Sequence, residues 1–421
     1  MSNDIRTTLA LVLGGGASKG LWPLTEERCK PAIPFGGRYR LIDVTISNCI
    51  NSKVPRVLVL TQYNSESLNR HINLTYRFDY FTQGFVEILA AEQRQDCEEW
   101  FRGSANALRH VWKRVKRYGC HHILVLPGEQ LYKMDYRRLL DKHVKTRANV
   151  TMLTAPISRN DAHLCGLVRL AKDNEIVDFS EKPDTEEEID SFCIEDNPDV
   201  CMANMGGYIF DVNTLEKLLA DSKHKELGAQ IIPAAVASSL KVYAYPFEGY
   251  WENVNSISSY FNASLTFAER FSPINIYDQD TPVYTNPRFL PSAKLYSCSL
   301  SSSLVADGCV LEHADLHNCV IGPRSFVRAG ATLKEVIMMG ADHFERLDDL
   351  RENKVNELPN IGIGHHSLIE KAIIDKNARI GNHVHIINKD HVNEGEGEGF
   401  AIRDGIVIIR KNAVILDGSV I

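Results

Sequence analysis

Residues 361–381 read IGIGHHSLIEKAIIDKNARIG, and the spacing of their aliphatic side chains decides the fold of this part of the chain. Isoleucine recurs there every five or six positions, with glycine and small polar residues in between. This period fits neither an α-helix nor a stack of hairpins, but it is typical of a parallel β-helix, in which each side of a triangular coil turns one aliphatic side chain inward. The same spacing continues outside the stretch, at Val305, Leu311, Leu316, Ile321, Val327, Leu333 and Ile386. A β-sandwich of short strands is the alternative interpretation.

Two segments interrupt this period. The charged segment Asp342–Glu357 is predicted to be an excursion loop, and the sequence EGEGEG at 394–399 is predicted to be a solvated turn before the last coils.

The first 265 residues follow a different pattern, in which short apolar runs alternate with amphipathic stretches. Such alternation predicts an α/β domain with a largely parallel sheet, whose ligands bind beyond the carboxyl ends of the strands. The loops after Leu13 and Leu126 are therefore the first candidates for a site. Prolines crowd residues 271–291, which predicts an extended linker. The expected divisions are an α/β domain over 1–268, a linker over 269–292 and a β-helix over 293–421. Strands are predicted at Leu9–Leu13, Val57–Leu60, Ile123–Leu126, Val150–Ala155 and Val242–Tyr245, and helices at Ser65–Phe78, Ser104–Arg117 and Tyr136–Thr146.

Composition excludes several classes of protein. The 421 residues are 44% hydrophobic and 24% charged, which rules out wholesale disorder. A net charge of −7 without a basic block argues against binding to nucleic acid or to a membrane surface. The ten cysteines form no C-x-x-C pair, so we expect reduced thiols and no zinc site. The polar residues Met1–Thr8 lack a signal-peptide core, which favours a cytoplasmic protein.

Three glycines, Gly14–Gly16, directly follow an apolar strand in LALVLGGGASKGLWPLT (9–25). Without side chains, the backbone there can approach a phosphate closely enough for its N–H groups to donate. The dinucleotide pattern G-x-G-x-x-G fails at Lys19, and the Walker pattern fails at Leu21 and Trp22. Taken alone, the loop is also compatible with a tight structural turn.

The segment PLTEERCKPAIPFGGRYRLIDVTISNCINS (23–52) follows immediately, and with it the chain closely resembles the ADP-glucose pyrophosphorylases of bacteria, algae and plants. The resemblance extends over essentially the whole chain. It includes LNRH (68–71), GFVEILAA (84–91), WFRGSANAL (100–108), FSEKP (179–183), MGGYIF (205–210), GYWE (249–252) and AIIDKNARIG (372–381).

This resemblance implies a nucleotidyltransferase domain followed by a left-handed β-helix. It also implies a reaction in which ATP and glucose 1-phosphate give ADP-glucose and pyrophosphate, with Mg²⁺. Positions matching the nucleotide side of the family's site are Gly14, Gly15, Gly16, Gln93, Gly103 and Ser104, together with Lys30 as a cation. Positions matching the sugar-phosphate side are Gly166, Glu181, Lys182, Asn204, Met205, Gly206 and Tyr208.

The chain departs from the family's pattern where charge matters most. The phosphate-stabilising arginine of the glycine loop falls on Gly20. One metal-binding aspartate falls on Glu129, which moves the charge by one methylene, and the other falls on the neutral Asn253. Mg²⁺ demands near-ideal octahedral geometry. Gly20, Glu129 and Asn253 are therefore catalytic or metal positions in altered form, and Asn204 stands where the family has a serine.

These changes favour a regulatory or low-activity subunit that assembles with a catalytic homologue into a heterotetramer, in bacterial cytoplasm or plastid stroma. A fully active homotetramer and a sugar-nucleotide sensor without turnover are the alternatives. Family enzymes respond to anionic effectors, namely 3-phosphoglycerate, fructose 1,6-bisphosphate and phosphate, so effector sites need cations. Lys411 matches the family's C-terminal activator lysine, while Lys371, beside the acidic Glu370, and Arg40 are further candidates.

Overall fold

The computed structural model describes residues 3–16, 19–79, 81, 84–91 and 101–421, and it divides the chain into two compact units. The first unit comprises Met1–Gly16, Ile42–Asn253 and Asp278–Tyr284. The second comprises Ala17–Leu41, Val254–Tyr277 and Thr285–Ile421. Two segments that precede residue 278, Ala17–Leu41 and Val254–Tyr277, thus belong to the same compact unit as the coils. The domain bounds expected from the sequence stay a prediction.

The strands described before residue 254 range from two to fifteen residues in length. They are β1 (Thr8–Leu13), β2 (Pro34–Phe35), β3 (Tyr39–Arg40), β4 (Arg56–Thr61), β5 (Phe85–Ala90), β6 (His122–Pro127), β7 (Gln130–Tyr132), β8 (Val150–Ser158), β9 (Gly166–Leu170), β10 (Ile176–Glu181), β11 (Cys193–Ile194), β12 (Asn197–Asp211), β13 (Val242–Pro246) and β14 (Trp251–Asn253). The α-helices are α1 (Asn3–Arg6), α2 (Leu41–Asn51), α3 (Glu66–Thr75), α4 (Ser104–Lys116), α5 (Tyr136–Thr146), α6 (Glu186–Phe192), α7 (Val212–Ala220), α8 (Ile232–Val236), α9 (Ile257–Thr266) and α10 (Leu347–Val355). Short 3₁₀ helices cover Lys19–Leu21, Lys30–Ala32 and Arg159–Leu164, and a π-helix covers Leu227–Ile231.

A mixed sheet forms the first unit, in the order β10-β9-β12-β6-β1-β4-β5. Strands β6, β1, β4 and β5 are parallel, β12 is antiparallel to β6 and to β8, and β13 is parallel to β8. Strand β1 is almost entirely buried, which explains its unbroken apolar sequence. The predicted α/β domain is confirmed, and each predicted strand lies within an observed one.

The carboxyl ends of β1, β4 and β6 are held together by glycine backbones. Gly14 N–H donates to the carbonyl oxygen of Leu60 at 2.8 Å, and Gly128 N–H donates to that of Leu13 at 3.0 Å. A Cβ atom at Gly128 would lie 2.9 Å from the Leu13 oxygen, so only glycine permits this approach. This edge of the sheet is where the candidate site lies.

Parallel coils and an antiparallel hairpin at residues 395–403 form most of the second unit. Their strands are β15 (Lys294–Tyr296), β16 (Ser299–Ser301), β17 (Leu304–Val305), β18 (Val310–Glu312), β19 (Asp315–His317), β20 (Val320–Ile321), β21 (Phe326–Val327), β22 (Thr332–Met338), β23 (Gly362–Ile363), β24 (Leu368–Ile374), β25 (Arg379–Ile380), β26 (His385–Ile386), β27 (Gly395–Gly397), β28 (Phe400–Arg403), β29 (Ile406–Ile409) and β30 (Val414–Ile415). Aliphatic side chains stack in register from coil to coil, as in the column Leu316, Leu333, Ile369 and Ile386. These residues are buried in one core, which confirms the predicted β-helix.

Two sequence-based expectations for this unit were wrong in detail. The excursion Asp342–Glu357 contains the helix α10 and is not simply a loop. The EGEGEG segment is only in part a solvated turn, because Gly395–Gly397 form β27, which pairs antiparallel with β28 across the turn at Glu398 and Gly399. Gly397 lies against the ring of Phe400, where a Cβ atom would meet the ring at 2.3 Å, while the alternate glutamates point to solvent.

None of the described helices combines the length and apolar character that a bilayer span requires. The described residues contain no group of three or more His, Cys, Asp or Glu side chains arranged to hold a metal ion.

Candidate active site

A cleft of about 250 Å³ opens at the carboxyl ends of β1 and β4 in the first unit. It brings together the predicted Gly14–Gly16, Gly103, Ser104 and Glu129. Residues that the sequence analysis did not single out complete its lining; they are Leu13, Leu60, Gln62, Phe101, Ala107 and Glu226. Gln93 lies outside the described residues.

The N-terminus of α4 forms one wall of this cleft. Gly103 precedes the helix with φ of 119°, and a Cβ atom there would lie 2.5 Å from Glu226 Oε1. Only glycine fits that conformation and that space. The N–H and the hydroxyl of Ser104 both donate to Glu226 Oε2, at 3.1 and 2.7 Å. A carboxylate therefore occupies the end of the helix that attracts anions.

Glu226 is held in place by a small network. Ser104 Oγ accepts from the N–H of Leu227 at 2.8 Å, and the side-chain oxygen of Gln230 accepts from the N–H of Glu226 at 3.0 Å. The amide oxygen of Gln230 gives the backbone of Glu226 a hydrogen-bond acceptor without adding a negative charge.

A second cluster gathers the predicted sugar-side residues. Asn204 Nδ2 donates to the hydroxyl of Tyr208 at 2.7 Å, and Asn204 Oδ1 accepts from the N–H of Gly206 at 2.8 Å. A Cβ atom at Gly166 would lie 2.8 Å from Glu181 Oε2, so this glycine makes room for the carboxylate. The cluster therefore presents a carboxylate, an amide and a phenol, all groups that bind sugar hydroxyls.

The negative charge of Glu226, in the cleft, also acts on Glu181 in the sugar-side cluster. Partial desolvation raises the pKa of Glu181, Lys182 opposes that shift, and the negative charge of Glu226 adds to it. Burial raises the pKa of Tyr208 well above its usual range, so its hydroxyl remains a donor. Glu226 thus belongs to the environment of both groups of residues, although no motif in the sequence identified it.

The remaining sugar-side residues lie at irregular positions of the backbone or behind them. The pairing of β12 with β8 shifts register between Asn204 and Tyr208, and Gly206 in this bulge has φ of 76°. Met205 is fully buried behind the bulge. Lys182 has φ of 53° and its side chain is exposed. The N–H of Lys182 donates to the carbonyl oxygen of Cys165 at 3.1 Å.

The two candidate metal positions are neighbours. Strands β7 and β14 form a two-stranded ribbon in which Asn253 is the partner of Gln130, directly after Glu129. Trp251 Nε1 donates to Gln130 Oε1 at 3.1 Å and helps to hold the ribbon. The two candidate metal positions therefore offer one carboxylate, Glu129, and one neutral amide, Asn253. Because Mg²⁺ in proteins is held mainly by carboxylates in strict geometry, this donor set does not fit the ion well.

Gly20 and Lys30 belong to the second unit. Lys30 is buried, and its ammonium donates to Asn255 Oδ1 at 2.8 Å. A Cβ atom at Gly20 would lie 2.2 Å from the carbonyl oxygen of Asn255. The backbone around Gly20 therefore has no room for the arginine that the family pattern places there.

Lys411 and its neighbours in the second unit have carboxylate partners. Lys411 forms an ion pair with Glu27. Arg403 pairs with Glu396 at 2.6 Å, and Arg410 lies 3.6 Å from the other oxygen of the same carboxylate. Both guanidinium groups lie over the ring of Trp22, with centroid distances of 4.6 and 4.8 Å.

The other two effector candidates lie elsewhere in the second unit. Lys371 lines a separate cleft of about 380 Å³ with Lys334 and His391. Arg40 lies on β3. The pKa of Lys376 is lowered mainly by burial and further by the positive charge of Arg40, while Asp342 opposes the shift.

Comparison with protein families accounts for the two patterns of the chain. The nucleotidyl transferase family matches residues 9–270, and the GLGC left-handed parallel beta-helix domain matches residues 288–420. The chain therefore belongs to the nucleotidyl transferase family and carries a GLGC-type left-handed β-helix. This combination is the architecture of ADP-glucose pyrophosphorylases. The family implies a nucleotide and a sugar phosphate as substrates and generally uses a divalent metal.

Proposed function

We propose that this chain is a low-activity or regulatory subunit of an ADP-glucose pyrophosphorylase. The reaction joins ATP and glucose 1-phosphate into ADP-glucose and releases pyrophosphate. The observation that carries the proposal is the ribbon of β7 and β14, where one metal position keeps a lengthened carboxylate, Glu129, and the other is the neutral Asn253. The substrate-side residues retain their chemistry, while the charge-neutralising residues do not.

The retained residues have roles in binding and orientation. The glycine loop lets nucleotide phosphates approach the backbone closely. The first N–H groups of α4 already donate to Glu226 and to the carbonyl oxygen of Lys225. Glu181 accepts sugar hydroxyls, and Asn204 and Tyr208 orient the ring. Lys182 meets the sugar phosphate, one oxygen of which attacks the α-phosphorus in line while pyrophosphate leaves. Holding two anions in this geometry is most of what the protein contributes to such a reaction.

The carboxylate of Glu226 adds a constraint on nucleotide binding. It already accepts from the N–H and hydroxyl of Ser104, the groups that a nucleotide phosphate would use. A bound nucleotide has either to displace this carboxylate or to bind beside it with unfavourable repulsion. This arrangement agrees with weak turnover in the isolated chain.

In a heterotetramer, a competent homologue supplies turnover and this chain contributes assembly surfaces and effector binding. Anionic effectors such as 3-phosphoglycerate, fructose 1,6-bisphosphate and phosphate would bind the cations Arg403, Arg410 and Lys411. Their present carboxylate partners, Glu27 and Glu396, would then compete with the effector.

The proposal is tested by restoring both metal carboxylates. We expect Glu129→Asp combined with Asn253→Asp to raise kcat by about 10- to 100-fold, because an error of about 1 Å in the position of a catalytic group can cost about 100-fold in rate. The measurement is the rate of ADP-glucose formation at saturating ATP, glucose 1-phosphate and Mg²⁺.

Glu252→Asp is the matched control, because it also changes a carboxylate by one methylene but lies on the opposite face of the ribbon from Asn253. We expect it to leave the rate unchanged. Ordinary turnover in the unmodified chain, with no gain in the double variant, would support the active homotetramer. No gain from a very low rate, with ADP-glucose still bound, would support a sensor without turnover.

A further inference from the structure

Two cysteines face each other across neighbouring strands of the first unit. Cys193 on β11 and Cys201 on β12 are register partners in an antiparallel pair. Their Sγ atoms lie 3.0 Å apart, and both are free thiols. A disulfide bond requires about 2.05 Å between sulfur atoms, so bond formation needs a movement of about 1 Å.

The surroundings give the two thiols different access to solvent. Cys201 is fully buried in a small core with Ala162, Leu167, Ile189 and Phe192, whereas Cys193 is half-buried at the edge of that core. Burial, followed by the hydrogen bond with Cys193, raises the pKa of Cys201 to about 12. An incoming disulfide therefore reaches Cys193 first, and Cys201 is the resolving thiol.

We propose that Cys193 and Cys201 are a reversible dithiol–disulfide pair that exchanges with a small disulfide such as oxidised glutathione. The Cys193 thiolate attacks one sulfur of the oxidant, forms a mixed disulfide and releases one glutathione thiolate. Cys201 then gives up its proton and attacks the Cys193 sulfur, which releases the second glutathione. The protein loses two hydrogen atoms and the oxidant gains them as two thiols, so atoms and electrons balance.

The bond would brace one wall of the sugar-side cluster. It closes the short loop between β11 and β12, and β12 continues three residues further to Asn204 and then to Tyr208. Helix α6, which precedes β11, follows the strand that ends at Glu181. A link with glucose 1-phosphate binding rests on the proposed function, whereas formation of the bond does not.

The experiment exposes the full chain to a series of glutathione redox buffers, alkylates the remaining thiols and maps the peptides by mass spectrometry. We expect a cross-linked pair of peptides carrying Cys193 and Cys201, two mass units lighter than the sum of the reduced peptides. Reduction should reverse it. The bond should also raise the melting temperature of the oxidised chain by a few degrees relative to the reduced chain.

Three variants distinguish this pair from general thiol oxidation. Cys193→Ser should abolish the cross-link, and Cys201→Ser should leave Cys193 trapped as the mixed disulfide with glutathione. Cys165→Ser, which removes another half-buried thiol of the same unit, should leave the cross-link intact. Glutathione adducts on the unmodified chain without the internal bond, or alkylation of both thiols throughout the series, would overturn the proposal. Neither result depends on catalytic activity.

Discussion

At the scale of single residues, the glycine at position 20, where the resemblance led us to expect an arginine, is tied to the local backbone. Gly20 lies so close to the carbonyl oxygen of Asn255 that even a Cβ atom would overlap it. The side-chain oxygen of Asn255 in turn accepts a hydrogen bond from the ammonium of Lys30. The glycine is thus part of a packed arrangement, and replacing it requires the backbone on one side to move.

Gly20→Arg should therefore destabilise the chain and fail to restore activity. Overpacking of this kind costs about 1–3 kcal/mol, which corresponds to a drop of several degrees in melting temperature. Differential scanning calorimetry measures the change, and Lys19→Arg is the control, because it introduces the same side chain at the exposed neighbouring position. Equal melting temperatures for the two variants would show that the backbone adapts freely.

At the scale of elements, the hairpin of β27 and β28 places a carboxylate beside two arginines. Gly397 allows close packing against Phe400, and the carboxylate of Glu396 pairs with Arg403 and lies near Arg410. The two guanidinium groups also lie over Trp22, which holds them side by side. The hairpin thus supplies an internal carboxylate at the place where the proposal puts an external anion.

Glu396→Gln should accordingly strengthen binding of 3-phosphoglycerate. An exposed ion pair contributes up to about 1 kcal/mol, so its removal should lower Kd about two- to five-fold. Isothermal titration calorimetry measures this, and Glu398→Gln removes the same charge two residues further along the hairpin as a control. An equal gain in both variants would mean that net charge alone determines the affinity. No gain in either would show that Glu396 does not compete with the effector.

At the scale of the whole molecule, sequence periodicity predicted the features that depend on neighbouring turns and coils. The apolar strands, the amphipathic helices and the inward aliphatic column Leu316, Leu333, Ile369 and Ile386 repeat at fixed spacing, and each was found where the pattern placed it. These features depend on the burial of side chains from adjacent turns or coils, which a linear pattern records directly.

Features that depend on distant pairings could not be predicted in this way. Glu226 reaches the N-terminus of α4 from more than a hundred residues away, and no periodic pattern or motif marks it. The same holds for Arg28, which is buried and pairs with Asp375 of the β-helix through two bonds of 2.9 Å. Both residues belong to the second unit, in which this pair holds a segment near the N-terminus to the coils.

The central claim is that this chain turns over poorly by itself and acts with a competent homologue. The most direct measurement is the steady-state rate of ADP-glucose synthesis by the purified chain, alone and mixed with a catalytic ADP-glucose pyrophosphorylase, with and without 3-phosphoglycerate. We expect a rate far below the usual enzyme range of about 1–1000 per second for the chain alone, and an altered response to the activator in the mixture. A rate within that range for the chain alone would contradict it.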